Sequence, residues 1–177
     1  MDRQAMTYTD HFEAVMKAMT SRGLLLGAYD ADDRANAMTI GWGMLGSIWS
    51  MPMWIVLARP SRYTHQCIEH TGCFSVNVPG RAQERACGVC GSRSGRDGGK
   101  LAEAGLTPEK GENVLAPTLA ECPIVYECRV VHRNDVLPDQ LIAELMNGPY
   151  ADGDFHRVYF GRILSARAAA DAASLIG

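Results

Sequence analysis

The sequence has no basic excess: 17 Lys and Arg stand against 20 Asp and Glu, for a net charge of −3. A nucleic-acid binder usually carries a basic surplus or stripe, so no nucleic-acid partner is expected. Long apolar runs are missing too. The longest, Met51 to Ala58, falls far short of the ~20 residues that cross a bilayer, and no membrane partner is expected. The N-terminus shows no basic start followed by an apolar core, so no signal peptide is expected. There is no GxGxxG, and strand patterns do not alternate regularly with long helical ones, which argues against a doubly wound parallel sheet. A P-loop is excluded because the Gly-x4-Gly-Lys-[Ser/Thr] spacing is absent. Neither H-E-x-x-H nor a Ser-His-Asp order appears, so a hydrolase has no specific support. A second C-x-x-C is lacking beside Cys87-Gly-Val-Cys90, and the other cysteines fall in the pairs Cys67/Cys73 and Cys122/Cys128. A zinc site needs four ligands at tighter spacing, so no metal is expected.

What is present reads as one domain over residues 1–177, with a core at about 22–167. Such a chain is long enough to bury a core of its own. Residues 1–21 read as a loose arm, Met1 to Thr9, and a helix from an Asp10 N-cap to Ser21; residues 168–177 form a helical tail. Six cysteines in a chain that is 47% hydrophobic suggest reduced thiols and a cytoplasmic location rather than a disulfide scaffold. Strands are predicted at Leu24–Tyr29, Ala35–Gly43, Pro52–Ala58, Phe74–Val78, Cys122–His132 and Arg157–Ala166. Helices are predicted at Arg62–His70, capped by Ser61 and closed by Gly72, and at Arg81–Cys90. Gly43 to Ser50 reads as a small-residue connection. Within Cys122–His132, Ile124, Tyr126, Cys128 and Val130 share one face, with Glu127 and Arg129 on the other. The fold class is therefore mainly β, antiparallel and barrel-like, with peripheral helices.

The stretch Asn36 to Thr64 concentrates the chemistry. Its first strand ends in Thr39-Ile-Gly-Trp42, which offers backbone and a flat side chain to something planar. Its far end, Arg59-Pro-Ser-Arg-Tyr-Thr64, supplies guanidinium forks, hydroxyls and a helix start, all suited to a phosphate. Gly91-Ser-Arg-Ser-Gly-Arg-Asp97, extended to Lys100, repeats that chemistry. Each segment alone is as well explained by packing or solvation; the two anion cradles together point to a nucleotide-like cofactor with a ring and a phosphate. Cys87 and Cys90, one helical turn apart, read as core rather than a redox dithiol. A lone His156 opens the last strand.

Four runs in register, N-x-M-T-I-G-W-G with G-S-I-W, R-P-S-R-Y-T, C-G-S-R-S-G-R-D and G-D-x-H-R-x-Y-x-G, resemble the flavin reductase-like family of FMN-binding split barrels, in its flavoredoxin-type branch. The likeness runs from about Leu24 to Ile163. It implies a six-stranded Greek-key split β-barrel, a homodimer and non-covalent FMN near the subunit interface. On that resemblance Asn36, Thr39, Ile40, Gly41 and Trp42 lie along the isoalloxazine edge. Arg59, Ser61 and Thr64 hold the phosphate, helped by Ser92, Ser94, Arg96 and Lys100. His156 sits near the flavin or nicotinamide as the candidate catalytic residue. Arg93 stands where the branch usually has lysine, and Cys87 where an aliphatic residue is usual. The implied activity is electron transfer from NADH or NADPH through FMN to a flavin, iron or protein acceptor. An FMN-binding carrier or store without NAD(P)H activity, and a non-flavin barrel for another phosphate ligand, stay open alternatives.

Overall fold

Apolar patterning places the long strands of the chain in one antiparallel sheet. A computed structural model describes residues 1–177. In chain order the elements are β1 (Gln4–Ala5), α1 (Phe12–Ser21), β2 (Leu24–Tyr29), β3 (Ala35–Ile40), β4 (Gly43–Ile48), β5 (Met51–Ala58), α2 (Tyr63–Thr71), β6 (Cys73–Val78), α3 (Glu84–Ser92), α4 (Lys100–Ala104), β7 (Pro108–Lys110), β8 (Pro117–Leu119), β9 (Ile124–Asp135), α5 (Ala143–Asn147), β10 (Arg157–Ala168) and α6 (Ala172–Ile176). The main sheet runs β3-β2-β6-β9-β10-β5-β4, and β1 pairs with β10. That makes eight strands rather than six. The order β6-β9-β10-β5 is a Greek key, since β5 lies beside β10 and not beside β6, the strand that follows it in the chain. The sheet does not close: β3 and β4, consecutive in sequence, form its two ends. Strands β7 and β8 pair separately.

The extra strands come from segments whose local chemistry hides them. Residues 43–50, expected as a connection, form β4 and a two-residue turn at Trp49 (φ 55°) and Ser50 (φ 57°). Such hairpin turns normally carry Asn-Gly, because both residues need positive φ; a Trp-Ser turn gives no such signal and leaves Trp49 exposed. Residues 1–9 are not a loose arm. Gln4 and Ala5 pair with Ala168 and Arg167, and the Arg3 guanidinium donates to the Cys122 and Leu119 carbonyls at 2.8 and 2.5 Å. Asp10 does not cap α1. Its carboxylate accepts the Thr7 N–H at 2.9 Å, and His11, at φ 60°, takes the N-cap position.

Two apolar layers cover the sheet. The larger joins Val15 and Met19 of α1 to Leu24, Leu26, Trp54, Phe74, Val76 and Tyr126, with Trp54 and Tyr126 edge to face at 5.7 Å. The smaller packs Cys87 and Cys90 of α3 and Leu101 of α4 against Leu25, Ala37, Leu119 and Val125. Alternate residues of β2 thus enter different layers, which is why its sequence is apolar throughout. All six cysteines are free and buried. Burial pushes the Cys87 thiol up to about 11 and raises Cys90, so this pair is packing surface, not a poised thiolate. Glu127, expected on an outer face, is fully buried. The segment after β7 crosses that face, and the carboxylate accepts the Asn113 and Val114 N–H groups at 2.7 and 3.3 Å and an Arg167 N–H at 3.0 Å.

Gly161 marks an irregularity where the β9–β10 register shifts. A Cβ there would run into the Phe74 ring and lie 3.0 Å from Cys128 Cβ. Both side chains are fully buried. Gly161→Ala is therefore expected to destabilise the fold by about 1–3 kcal/mol, read as a lower midpoint in denaturant unfolding; an unchanged midpoint contradicts this packing.

Candidate functional site

Because β3 ends the sheet, its outer edge is open to ligands. Two adjoining clefts lie against it. The first, about 200 Å³, is lined by Met38, Thr39, Ile40, Gly41, Trp42, Leu57, Ala58, Arg59, Arg62 and His156. The second, about 220 Å³, is lined by Met38, Thr39, Ser61, Arg62, Tyr63, Thr64, Cys90, Gly91, Ser92, Arg93, Ser94, Gly95, Arg96 and Lys100. They share Met38, Thr39 and Arg62. The first thus combines strand backbone, an indole and an imidazole. The second combines hydroxyls, glycines and basic side chains at the N-terminus of α2. That helix begins after Arg62 with no side-chain cap, so its first N–H groups are available to an anion.

Every sequence-predicted site residue except Asn36 lines one of these clefts. Asn36 lies behind the second, in a third cavity that also reaches Gly95 and Lys100. Its Nδ2 donates to Thr64 Oγ1 at 2.8 Å, while its buried Oδ1 has no partner. A Cβ on Gly95 would strike that Oδ1 and the Tyr63 ring, so glycine is what lets the 93–99 loop approach β3.

Several side chains are already engaged. The Thr39 hydroxyl donates to the Cys87 carbonyl at 2.6 Å and ties α3 to β3; what Thr39 offers a ligand is its backbone. Ser61 does not cap α2. Its hydroxyl donates to Asp154 Oδ2 at 2.5 Å, and its N–H to Asp154 Oδ1 at 3.3 Å. Arg59 donates to the Pro149 carbonyl at 2.6 Å and lies 5.5 Å from the Tyr150 ring centre. Arg59 and Ser61 therefore hold the 149–154 segment. Arg96 donates to the Ser61 carbonyl at 3.2 Å and lies 5.3 Å from the Tyr63 ring centre. The Ser94 hydroxyl accepts the Arg96 N–H at 3.2 Å, and the Ser92 hydroxyl donates to the Gly88 carbonyl at 2.8 Å.

Lys100 differs from all of these. It is 5% exposed, and the titratable groups that act on it are the Cys90 and Cys67 thiols, with no carboxylate among them. Burial pulls its pKa below the ordinary lysine value. An ammonium buried without a counter-charge is costly unless something anionic joins it.

His156 Nδ1 lies 2.9 Å from the Tyr150 hydroxyl, and its ring centre 5.2 Å from that of Trp42. Burial, then Arg59 and Arg62, lowers its pKa to about 4, against the opposing pull of Asp154. The imidazole is thus neutral at pH 7. Tyr150 and Asp154 escaped sequence reasoning. They sit in a turn-rich segment, and only the run Gly-Asp-x-His pointed there.

The model of the flavin reductase like domain matches residues 16–176. Flavoredoxin of Desulfovibrio vulgaris (Miyazaki F) superposes with a TM-score of 0.69 at 28% identity, covering 84% of this chain and 70% of that one. Flavoredoxin from Methanosarcina acetivorans gives 0.67 at 27% identity, covering 84% and 69%. An uncharacterized protein of Archaeoglobus fulgidus is 31% identical over 99 residues, or 56% of this chain. The match spans only 55% of that relative's length. Both flavoredoxin structures superpose on most of this fold, and the family model extends over nearly the whole of the sheet: the chain belongs to the flavin reductase-like family.

Proposed function

We propose that the paired clefts bind FMN and that the chain passes electrons from NADH or NADPH to a flavin, iron or protein acceptor. The observation that carries this reading is Lys100, a buried lysine on which no carboxylate acts, lining a hydroxyl-rich cleft next to one of ring-binding character. The donor set fits a flavin mononucleotide. Lys100, Arg96, Thr64, Ser92, Ser94 and the α2 N-terminus would hold the phosphate, and Asn36 Oδ1 awaits a donor. Arg59 and Ser61 would steady the 149–154 segment beside it. The Thr39–Trp42 backbone would follow the polar edge of the ring. When bound, FMN supplies hydride acceptance and onward electron delivery. The chain's residues bind it, orient it and shield it. The neutral His156 would hold a hydrogen bond rather than deliver a proton.

The proposed assembly is a homodimer. Met44 on the edge strand β4 and Trp49 in the following turn are 64% and 58% exposed. Trp49, His132 and Phe160 cluster with ring centres 5.0–6.0 Å apart. An exposed apolar and aromatic surface of this kind suits a protein interface. The six unpaired thiols support a reducing, cytoplasmic setting. No helix is long and apolar enough to cross a membrane.

The likeness to two flavoredoxins supports a second reading, an electron carrier that takes no electrons from NAD(P)H directly. The spectrum separates them. Protein soaked with FMN is expected to show flavin absorbance that bleaches when NADH or NADPH is added without oxygen. Absorbance that persists favours the carrier, and failure to take up FMN overturns both readings. Lys100→Met is expected to weaken FMN binding about tenfold or more while leaving riboflavin affinity nearly unchanged, because a charge-assisted phosphate contact is lost. Equal losses for the two ligands would remove Lys100 from the phosphate site. The double substitution Met44→Glu and Trp49→Glu is expected to shift sedimentation from dimer to monomer; a dimer that persists places the interface elsewhere.

A further inference from the structure

We propose that Tyr150 is a positioning residue: its phenol donates to His156 Nδ1, fixes the imidazole as the Nε2–H tautomer, and so presents an N–H donor to the first cleft. The proposal builds on the functional reading for the identity of the ligand, but its geometry is internal to the chain.

The direction of the hydrogen bond follows from what is available to each atom. The Tyr150 side chain is buried, and burial raises its pKa, so the hydroxyl keeps its proton at neutral pH. The protein offers that hydroxyl one partner, His156 Nδ1, at 2.9 Å. If Nδ1 carried a hydrogen, the phenol proton would be buried without an acceptor, a cost of about 1–3 kcal/mol. The phenol therefore donates, Nδ1 accepts, and a neutral imidazole must carry its hydrogen on Nε2. The charged groups facing the ring are Arg59, Arg62 and Asp154; burial, with the two cations, outweighs the carboxylate and keeps the ring neutral.

Tyr150 is itself held firmly. Its ring stacks on Phe155 with centres 5.2 Å apart and planes at 23°. The Arg59 guanidinium lies 5.5 Å from the ring centre, and the Tyr150 N–H donates to the Leu145 carbonyl at 3.2 Å. His156 Nε2 has no protein partner, and its ring lines the first cleft beside Trp42. A ligand group meeting that nitrogen must accept a hydrogen bond, as a carbonyl or carboxamide oxygen does. The cleft thus suits a flat ring bearing such an oxygen, placed against the Trp42 indole.

The test uses ligand-free, ¹⁵N-labelled full-length protein and long-range ¹H–¹⁵N correlation, with the His156 signals identified by their loss in His156→Gln. The expected result at pH 7 is a neutral ring almost wholly in the Nε2–H form, protonated only near pH 4. Tyr150→Phe is expected to give a tautomer mixture with the backbone amide spectrum otherwise preserved. A wild-type Nδ1–H tautomer overturns the proposal, as does a Tyr150→Phe protein that keeps the Nε2–H form undiminished. Should that variant fail to fold, the wild-type tautomer alone decides. No flavin is needed, so failure to bind FMN and failure of this proposal are read separately.

Discussion

Everything at the site depends on a sheet that does not close. Strand β3 pairs with β2 on one side and has no strand on the other, because Gly41 and Trp42 carry the chain away and β4 pairs with β5 at the opposite end. An open edge is a liability that proteins cover. Here α3 and the 93–99 loop cover part of it, tied by Thr39 to the Cys87 carbonyl. What remains uncovered becomes the wall shared by the two clefts. The ring-type and anion-type surfaces are adjacent because one strand edge serves both.

Electrostatics then divides the labour between the clefts. The second is floored by a buried ammonium with no carboxylate beside it, and its rim carries Arg62, Arg93 and Arg96. In the first, the cations act differently. Burial, helped by Arg59 and Arg62, holds His156 neutral, while Arg59 also anchors Pro149 and packs on Tyr150. The same residue type attracts charge in one cavity and suppresses it in the other. Asp154, at φ 55°, brings a carboxylate toward His156, and that carboxylate is taken up by Ser61.

The apolar framework was largely readable from the pattern. Strand β2 lies within the limits its apolar run suggested, and β6 and β10 differ only at their ends. Gly72, at φ 64°, closes α2 as a left-handed C-cap should. The failures share one cause, which is that the deciding partner is distant in sequence. Residues 43–48 are a strand because β5 is there to pair with, despite a turn lacking the usual residues. Gln4 and Ala5 are a strand because β10 runs on past its last pairing with β5, at Arg162, and leaves that edge free to meet them. Glu127 is buried because Arg167 and two backbone N–H groups reach it.

The same division holds at the site. By itself the sequence determined which segments meet at the clefts: Thr39–Trp42, the Arg59–Thr64 corner, the 91–100 loop and His156 all line them. Residue type and backbone propensity are local properties, and they are legible without a fold. Only the tertiary structure decided what each side chain is free to do. Thr39 and Ser61 looked like ligand-binding groups but spend their hydroxyl donors on Cys87 and Asp154, and Arg59 commits an N–H to Pro149. Lys100 looked like one phosphate helper among several, and the fold makes it a buried lysine with no carboxylate acting on it. Whether a donor is satisfied depends on which acceptor the fold brings within about 3 Å, and no spacing along the chain encodes that distance.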